Sequence, residues 1–236
     1  VAAVTGGVFT GLELVWYRML SPILGGSSFT FGLIVAVALS GIGIGGFIYS
    51  RRPPGRRASL DLLAWTLVLE ALAIALPIAL GDGIALYAAQ TRGMAGLGFW
   101  ALVASWVSVS AIVVLPAACV AGYQMPVIFA LLGHGRQQVA RQVGLTYAFN
   151  TAGSIIGAWA GGFLLIPRLG AVQSWRLLAG ALVLASAGVL LESARMRRDR
   201  AWGARLAMVG AGALAVLCIG ARGPTALWRH TPIGAG

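Results

Sequence analysis

The chain contains no lysine, and only six of its 236 residues are acidic. Charged residues of both signs make up 10% of it, against roughly 25% in an ordinary soluble domain. So few charges exclude a water-facing globular surface, because a soluble core this apolar would leave large exposed patches. Cysteine is also scarce. Cys119 and Cys218 each sit in an apolar stretch, which excludes a disulfide framework and metal-ligand spacing. They read as small buried apolar side chains. The two histidines are His134 and His230. No Ser/His/Asp set, metal cluster or phosphate loop is present. The glycine-rich run Gly41–Gly46 lies within an apolar helical stretch rather than after a strand, so it lacks the dinucleotide-fold context. No metal and no cofactor is expected.

Apolar runs fill the space. Hydrophobic residues make up 59% of the chain and the mean hydropathy is +0.88. About 20 such residues span a bilayer as a helix. The composition predicts an all-α polytopic transmembrane bundle of about seven helices, forming one domain over residues 1–220. Helices are expected at about 6–24, 29–49, 60–80, 143–166, 175–191 and 206–219, with a loop over 81–96. The stretch 97–132 is too long for one crossing at 1.5 Å per residue. Pro116 and Pro126 interrupt it. One membrane helix to about Pro116, followed by a broken or tilted continuation, is expected there, with two crossings as the alternative. The helix from 143 is expected to stop at Pro167, and the tail 221–236 to lie outside the bilayer. The chain opens on Val1 rather than Met, so preceding residues are expected. The first run is too long and too polar at its centre for a signal peptide alone.

All 17 basic residues are arginine and the net charge is +11. They cluster in short loops between apolar runs, which is a topology signal and not a nucleic-acid surface. The arginine-rich loops 51–57, 134–141 and 195–205 are expected in the cytoplasm, with the charge-poor 22–28, 81–96 and 167–174 outside. Seven crossings then put the N-terminus inside and the tail outside. The bilayer, including anionic head groups, is the first expected partner.

Polar residues within the spans are the candidates for function. Glu13, Arg18, Glu70, Gln124, Tyr147 and Asn150 form this set, Asn150 being the only asparagine. Each carboxylate would cost several kcal/mol facing lipid, so both are expected to face the bundle interior or a water-filled cavity. Arg18 follows Glu13 by five residues, about 140° around a helix, so they pair only through the long arginine stem or across helices. Two readings stand. Either these residues satisfy one another between helices, or they line a cavity for a cation or small polar molecule. Gly41 with Gly45, and Gly153, Gly157 and Gly161, repeat at four-residue spacing and are expected to pack helices closely.

Several segments carry a resemblance. Glu13, Trp16, Arg18 and Leu20, followed by Gly25-Gly26-Ser27-Ser28, resemble the opening of bacterial fused spermidine synthases. These join a major-facilitator-like membrane region to a spermidine synthase-like domain. The stretch from Val143 to Gly153 is similar to the family's G-x-x-Y-x-x-N-T-x-G, and Gly161, Leu165, Pro167 and Gly170 continue it. Gly122 with Pro126 resembles the preceding G-x-x-x-P element, so the likeness spans about residues 6–170. Trp228-Arg229-His230 and Ile233–Gly236 look like the linker into the synthase-like domain. That domain's catalytic acidic residue has no counterpart here, so no catalytic residue is carried over. Gly46, Arg51, Gly55, Arg56 and Arg57 are similar to a major facilitator loop, with Ser50 where that motif has an acid.

The resemblance implies half of a major facilitator fold, in the bacterial inner membrane, that anchors an aminopropyltransferase-like module. A polyamine or another small polar molecule is the implied ligand, with Glu13 and Glu70 as counter-charges. The alternatives are a transporter-like protein acting as a homodimer and an accessory subunit of a larger membrane complex.

Overall fold

In hydrocarbon a backbone N–H or C=O has no water to bond, so each apolar run must satisfy its own backbone as a helix. The computed structural model describes residues 1–53, 58–132, 139–196, 202–220, 223–225 and 228, and these form helices and turns with no strand among them. The elements are α1 (Ala2–Leu24), α2 (Ser28–Ser50), α3 (Leu60–Leu80), α4 (Gly83–Thr91), α5 (Phe99–Leu132), α6 (Val139–Ala160), α7 (Ile166–Met196) and α8 (Trp202–Gly220). Seven of these have 19 residues or more, and α4 has nine. Four stretches among the described residues are long and apolar enough to cross a bilayer: Ser28–Ser50, Leu60–Leu80, Phe99–Leu132 and Ala140–Met196. The chain is a polytopic helical membrane protein.

Local chemistry sets several boundaries. Ser59 opens α3 by accepting a 3.2 Å hydrogen bond from the Leu62 N–H, as an N-cap serine does. Gly25 (φ 97°) ends α1 and Gly81 (φ 53°) ends α3, conformations that side-chain-bearing residues avoid.

Three expectations are corrected. Residues 81–96 are not a loop: α4 and a 3₁₀ turn over Arg92–Leu97 occupy them. Ile84, Ala85 and Ala88 are buried and give α4 one apolar face. Second, α5 is a single helix of 34 residues with Pro116 and Pro126 inside it. Each proline frees only one carbonyl four residues earlier, a loss that packed membrane helices absorb. At about 51 Å it outreaches the hydrocarbon, and its exposed first residues, Phe99 and Trp100, suit the interface level. Third, the helix does not stop at Pro167. A π turn over Gly161–Leu165 precedes it, with the Ile166 N–H bonded to the Gly161 carbonyl. This i→i+5 register makes room for the proline ring. The break comes at Gly170 (φ 76°, ψ 165°), which divides α7 into two legs.

α1 and α3 form the centre. Each buries eleven residues, whereas the equally long α2 buries six. α2 packs chiefly on α5, α1 on α6, and α3 on α7, α5 and α8. The α1–α2 turn, Gly81, Gly170 and the tail gather at one end of the bundle. There Asp82 accepts from the Thr225 N–H at 2.9 Å and from its hydroxyl at 2.5 Å. The Trp228 indole N–H donates to the Met19 carbonyl at 2.5 Å. The N-terminus and Ser50 lie at the opposite end. Among the sequence candidates, Gly55, Arg56, Arg57, His134, Arg136, Arg229, His230, Ile233–Gly236 and the side chain of Cys218 lie outside the described residues.

Candidate functional site

Glu70 sits in the middle of α3 with no exposed surface. Gln124 of α5, 1% exposed, lies alongside it, but neither carboxyl oxygen of Glu70 reaches hydrogen-bond geometry with any described residue. The Gln124 amide instead donates to the Thr66 hydroxyl at 3.3 Å. Thr66 in turn donates to the Leu63 carbonyl one turn back, at 2.8 Å. Thr66 and Glu70 are one helical turn apart on α3, so Gln124 spans two polar positions of the facing helix. The Ser110 hydroxyl, also on α5, is buried with no hydrogen-bond partner among the described residues. A carboxyl among packed apolar side chains with only the Gln124 side chain beside it, among the described residues, is costly, and here the fold keeps one.

The other candidates do not join it. Glu13 is half-buried on α1 and Arg18 is exposed, and neither makes an ion pair among the described residues. Asn150 of α6 lies against α1: a Cβ on Gly6 would come within 2.7 Å of its side-chain oxygen. Tyr147 is 53% exposed, its ring 5.2 Å from that of Phe129 on α5. Glu70 and Gln124 are thus the one close pair, Asn150 and Tyr147 lie at two other interfaces, and Glu13 and Arg18 stand apart on α1. Among the described residues no group of three or more His, Cys, Asp or Glu side chains could hold a metal ion.

The glycines form two seams. On α6, a Cβ at Gly153 or Gly157 would run into the backbone of Ala3 or Gly7 on α1, while Gly161 faces Gly11. Ala3, Gly7 and Gly11 repeat at the same four-residue spacing, so small residues face small residues. On α2, Gly45 lies against the backbone of Cys119 and Tyr123, and a Cβ on Gly41 would sit 2.6 Å from that of Ala118. Gly122 of α5 lies against the backbone of Ile42. On α1 the Ala3/Gly7/Gly11 period is visible in the sequence, and on α5 Gly122 belongs to the G-x-x-x-P element, but neither is evident as a packing seam from the sequence.

A cavity of about 850 Å³ opens at the tail-side end of the bundle. Arg18, Gly25 and Gly26 line one side, Gly170 and Gln173 another, and Trp228 closes it from the tail. Trp228 is fully buried. Sequence reasoning placed Arg18 in a polar set within the membrane and Trp228 in a linker. The hydrogen bond from the Trp228 indole to the Met19 carbonyl brings the two segments together. Neither Glu13 nor Glu70 lines this cavity. A groove of about 370 Å³ between α2, α3 and α5, bordered by Trp65, Cys119 and Tyr123, is apolar and opens on the lipid-facing side. No family model, no curated protein and no solved structure matches the chain.

Proposed function

We propose that the chain is the membrane-integrated domain of a spermidine synthase-like protein, a bundle that anchors an aminopropyltransferase-like module joined beyond the tail. The observation that carries this reading is the docked tail. Asp82 takes two hydrogen bonds from Thr225, Met19 takes one from Trp228, and a Cβ on Gly81 would touch the Gly223 carbonyl at 3.3 Å. A chain leaving the bilayer at a fixed point is what an anchored module needs. The resemblance over residues 6–170 supports the same reading. The arginine-rich loops favour an N-terminus in the cytoplasm and a tail outside, and the resemblance favours a bacterial inner membrane. The test is the intact mass of the native protein. The 236 residues weigh 24.3 kDa, and a module of some 200 residues roughly doubles that. A native mass near 24.3 kDa removes the anchoring role.

Glu70 favours a second reading, a transporter-like protein whose site for a polyamine or other small cation is centred on that carboxyl. A cation gives an unpartnered buried carboxylate the counter-charge it lacks. Glu70→Gln keeps the shape and removes the charge. Unchanged spermidine uptake into vesicles carrying that variant would sink this reading.

A further inference from the structure

The tail-side cavity has a chemistry opposite to that of Glu70. Arg18 is the one charged side chain among its described lining residues, and no carboxyl group faces it there. Arg18 is exposed and makes no ion pair among the described residues. A guanidinium held in a half-enclosed space presents a planar fork of donors that matches phosphate oxygens. The opposite wall adds to this. The second leg of α7 restarts after Gly170, and its first residues, Ala171, Val172 and Gln173, line the cavity. The N–H groups of a first helical turn lack intrahelical partners and carry the positive end of the helix dipole. The remaining wall is mostly apolar, from Met19, Pro22, Ile166, Leu169 and Trp228, with the Ser21 side chain as a further polar group. The volume lies within the range of small-molecule sites.

We propose that this cavity is a binding site for a phosphate ester, with Arg18 as its counter-charge and Trp228 as its apolar lid. The ester comes either from a lipid head group or from a soluble organophosphate, and the two sources share the recognition chemistry. The site turns away polyamines, because Arg18 repels them. It is independent of the anchoring role.

The test is native mass spectrometry of the full-length protein purified in detergent. The probes are phosphatidylglycerol, diacylglycerol with the same acyl chains, glycerol 3-phosphate and spermidine. One phosphate-bearing probe is expected to bind at one copy per chain. Arg18→Gln weakens it at least tenfold, and Arg18→Lys retains part of the affinity. Ala171→Phe, which fills the cavity without changing charge, abolishes it. Binding of phosphatidylglycerol without glycerol 3-phosphate assigns the site to the head group, and binding of glycerol 3-phosphate assigns it to a soluble ester. Equal binding of diacylglycerol, preference for spermidine, or an affinity unmoved by Arg18→Gln overturns the proposal.

Discussion

Replacing Gly157 by alanine tests the α1–α6 seam most sharply. A Cβ there would stand 2.6 Å from the carbonyl carbon and Cα of Gly7, and closer still to its oxygen. Ordinary van der Waals contact begins near 3.4 Å, so the closest contact, to that oxygen, has to open by more than about 1 Å. The obstacle is backbone rather than a flexible side chain, so the whole interface has to shift. A gap of about 0.5–1 Å forfeits a quarter to a half of the dispersion attraction of the atoms lining it, and overpacking of this kind costs about 1–3 kcal/mol or more. Alanine returns about 1 kcal/mol of helix propensity. The expected net loss for Gly157→Ala is about 2 kcal/mol, starting from the upper end of that range. Gly188→Ala is the control. Gly188 lies on α7 with nothing within 4 Å of a Cβ built there, so it gains the propensity without the clash and is expected to be neutral or stabilising by up to about 1 kcal/mol. Reversible unfolding in mixed micelles measures both. If Gly157→Ala proves as stable as wild type, or moves with Gly188→Ala, the close crossing of α1 and α6 is refuted.

Other perturbations probe different contacts. Gly45→Ala meets the backbone of Cys119 and Tyr123 and is expected to lose a similar amount in the same assay, since α5 cannot yield locally. Glu70→Met removes a buried carboxyl with no hydrogen-bond partner among the described residues; in ligand-free protein it is expected to stabilise the fold by about 1–3 kcal/mol. A loss of that size would mean that Glu70 is satisfied after all. Asp82→Ala removes both acceptors for Thr225. Each such bond contributes about 0.5–1.5 kcal/mol net, so amide exchange at Thr225 is expected to quicken roughly tenfold or more while exchange in α3 stays unchanged.

Much of the fold was legible because hydrophobic runs in a membrane chain have few alternatives. Residues 60–80 read as a helix and form one, because Ser59 caps its start and Gly81 turns its end. The errors came from prolines. Pro116 and Pro126 look like breaks when a proline is weighed alone, but one lost hydrogen bond is small against a helix packed on α2 and α3 along its length. Pro167 looks like a stop, and the π turn before it has no sequence signal beyond Gly161-Gly162. The 81–96 segment is charge-poor, and its Ile84/Ala85/Ala88 face is short enough to pass for a loop. For the site, a sequence shows which polar residues lie in the membrane but not which helix faces meet. Glu70 and Gln124 meet because α3 packs on α5. Glu13 and Arg18 stay apart, because five residues along one helix point in different directions.

The proposed anchoring role has the bundle cross the membrane an odd number of times and fix its tail on the side opposite the N-terminus. Thiol labelling in intact cells tests it most directly, with Cys119 and Cys218 replaced by alanine. Ser28, Ser50 and Thr225 are exposed and accept single cysteine substitutions. A membrane-impermeant maleimide should label Ser28→Cys and Thr225→Cys from outside, and Ser50→Cys only after lysis. Labelling of Ser50→Cys and Thr225→Cys from the same side would contradict the account.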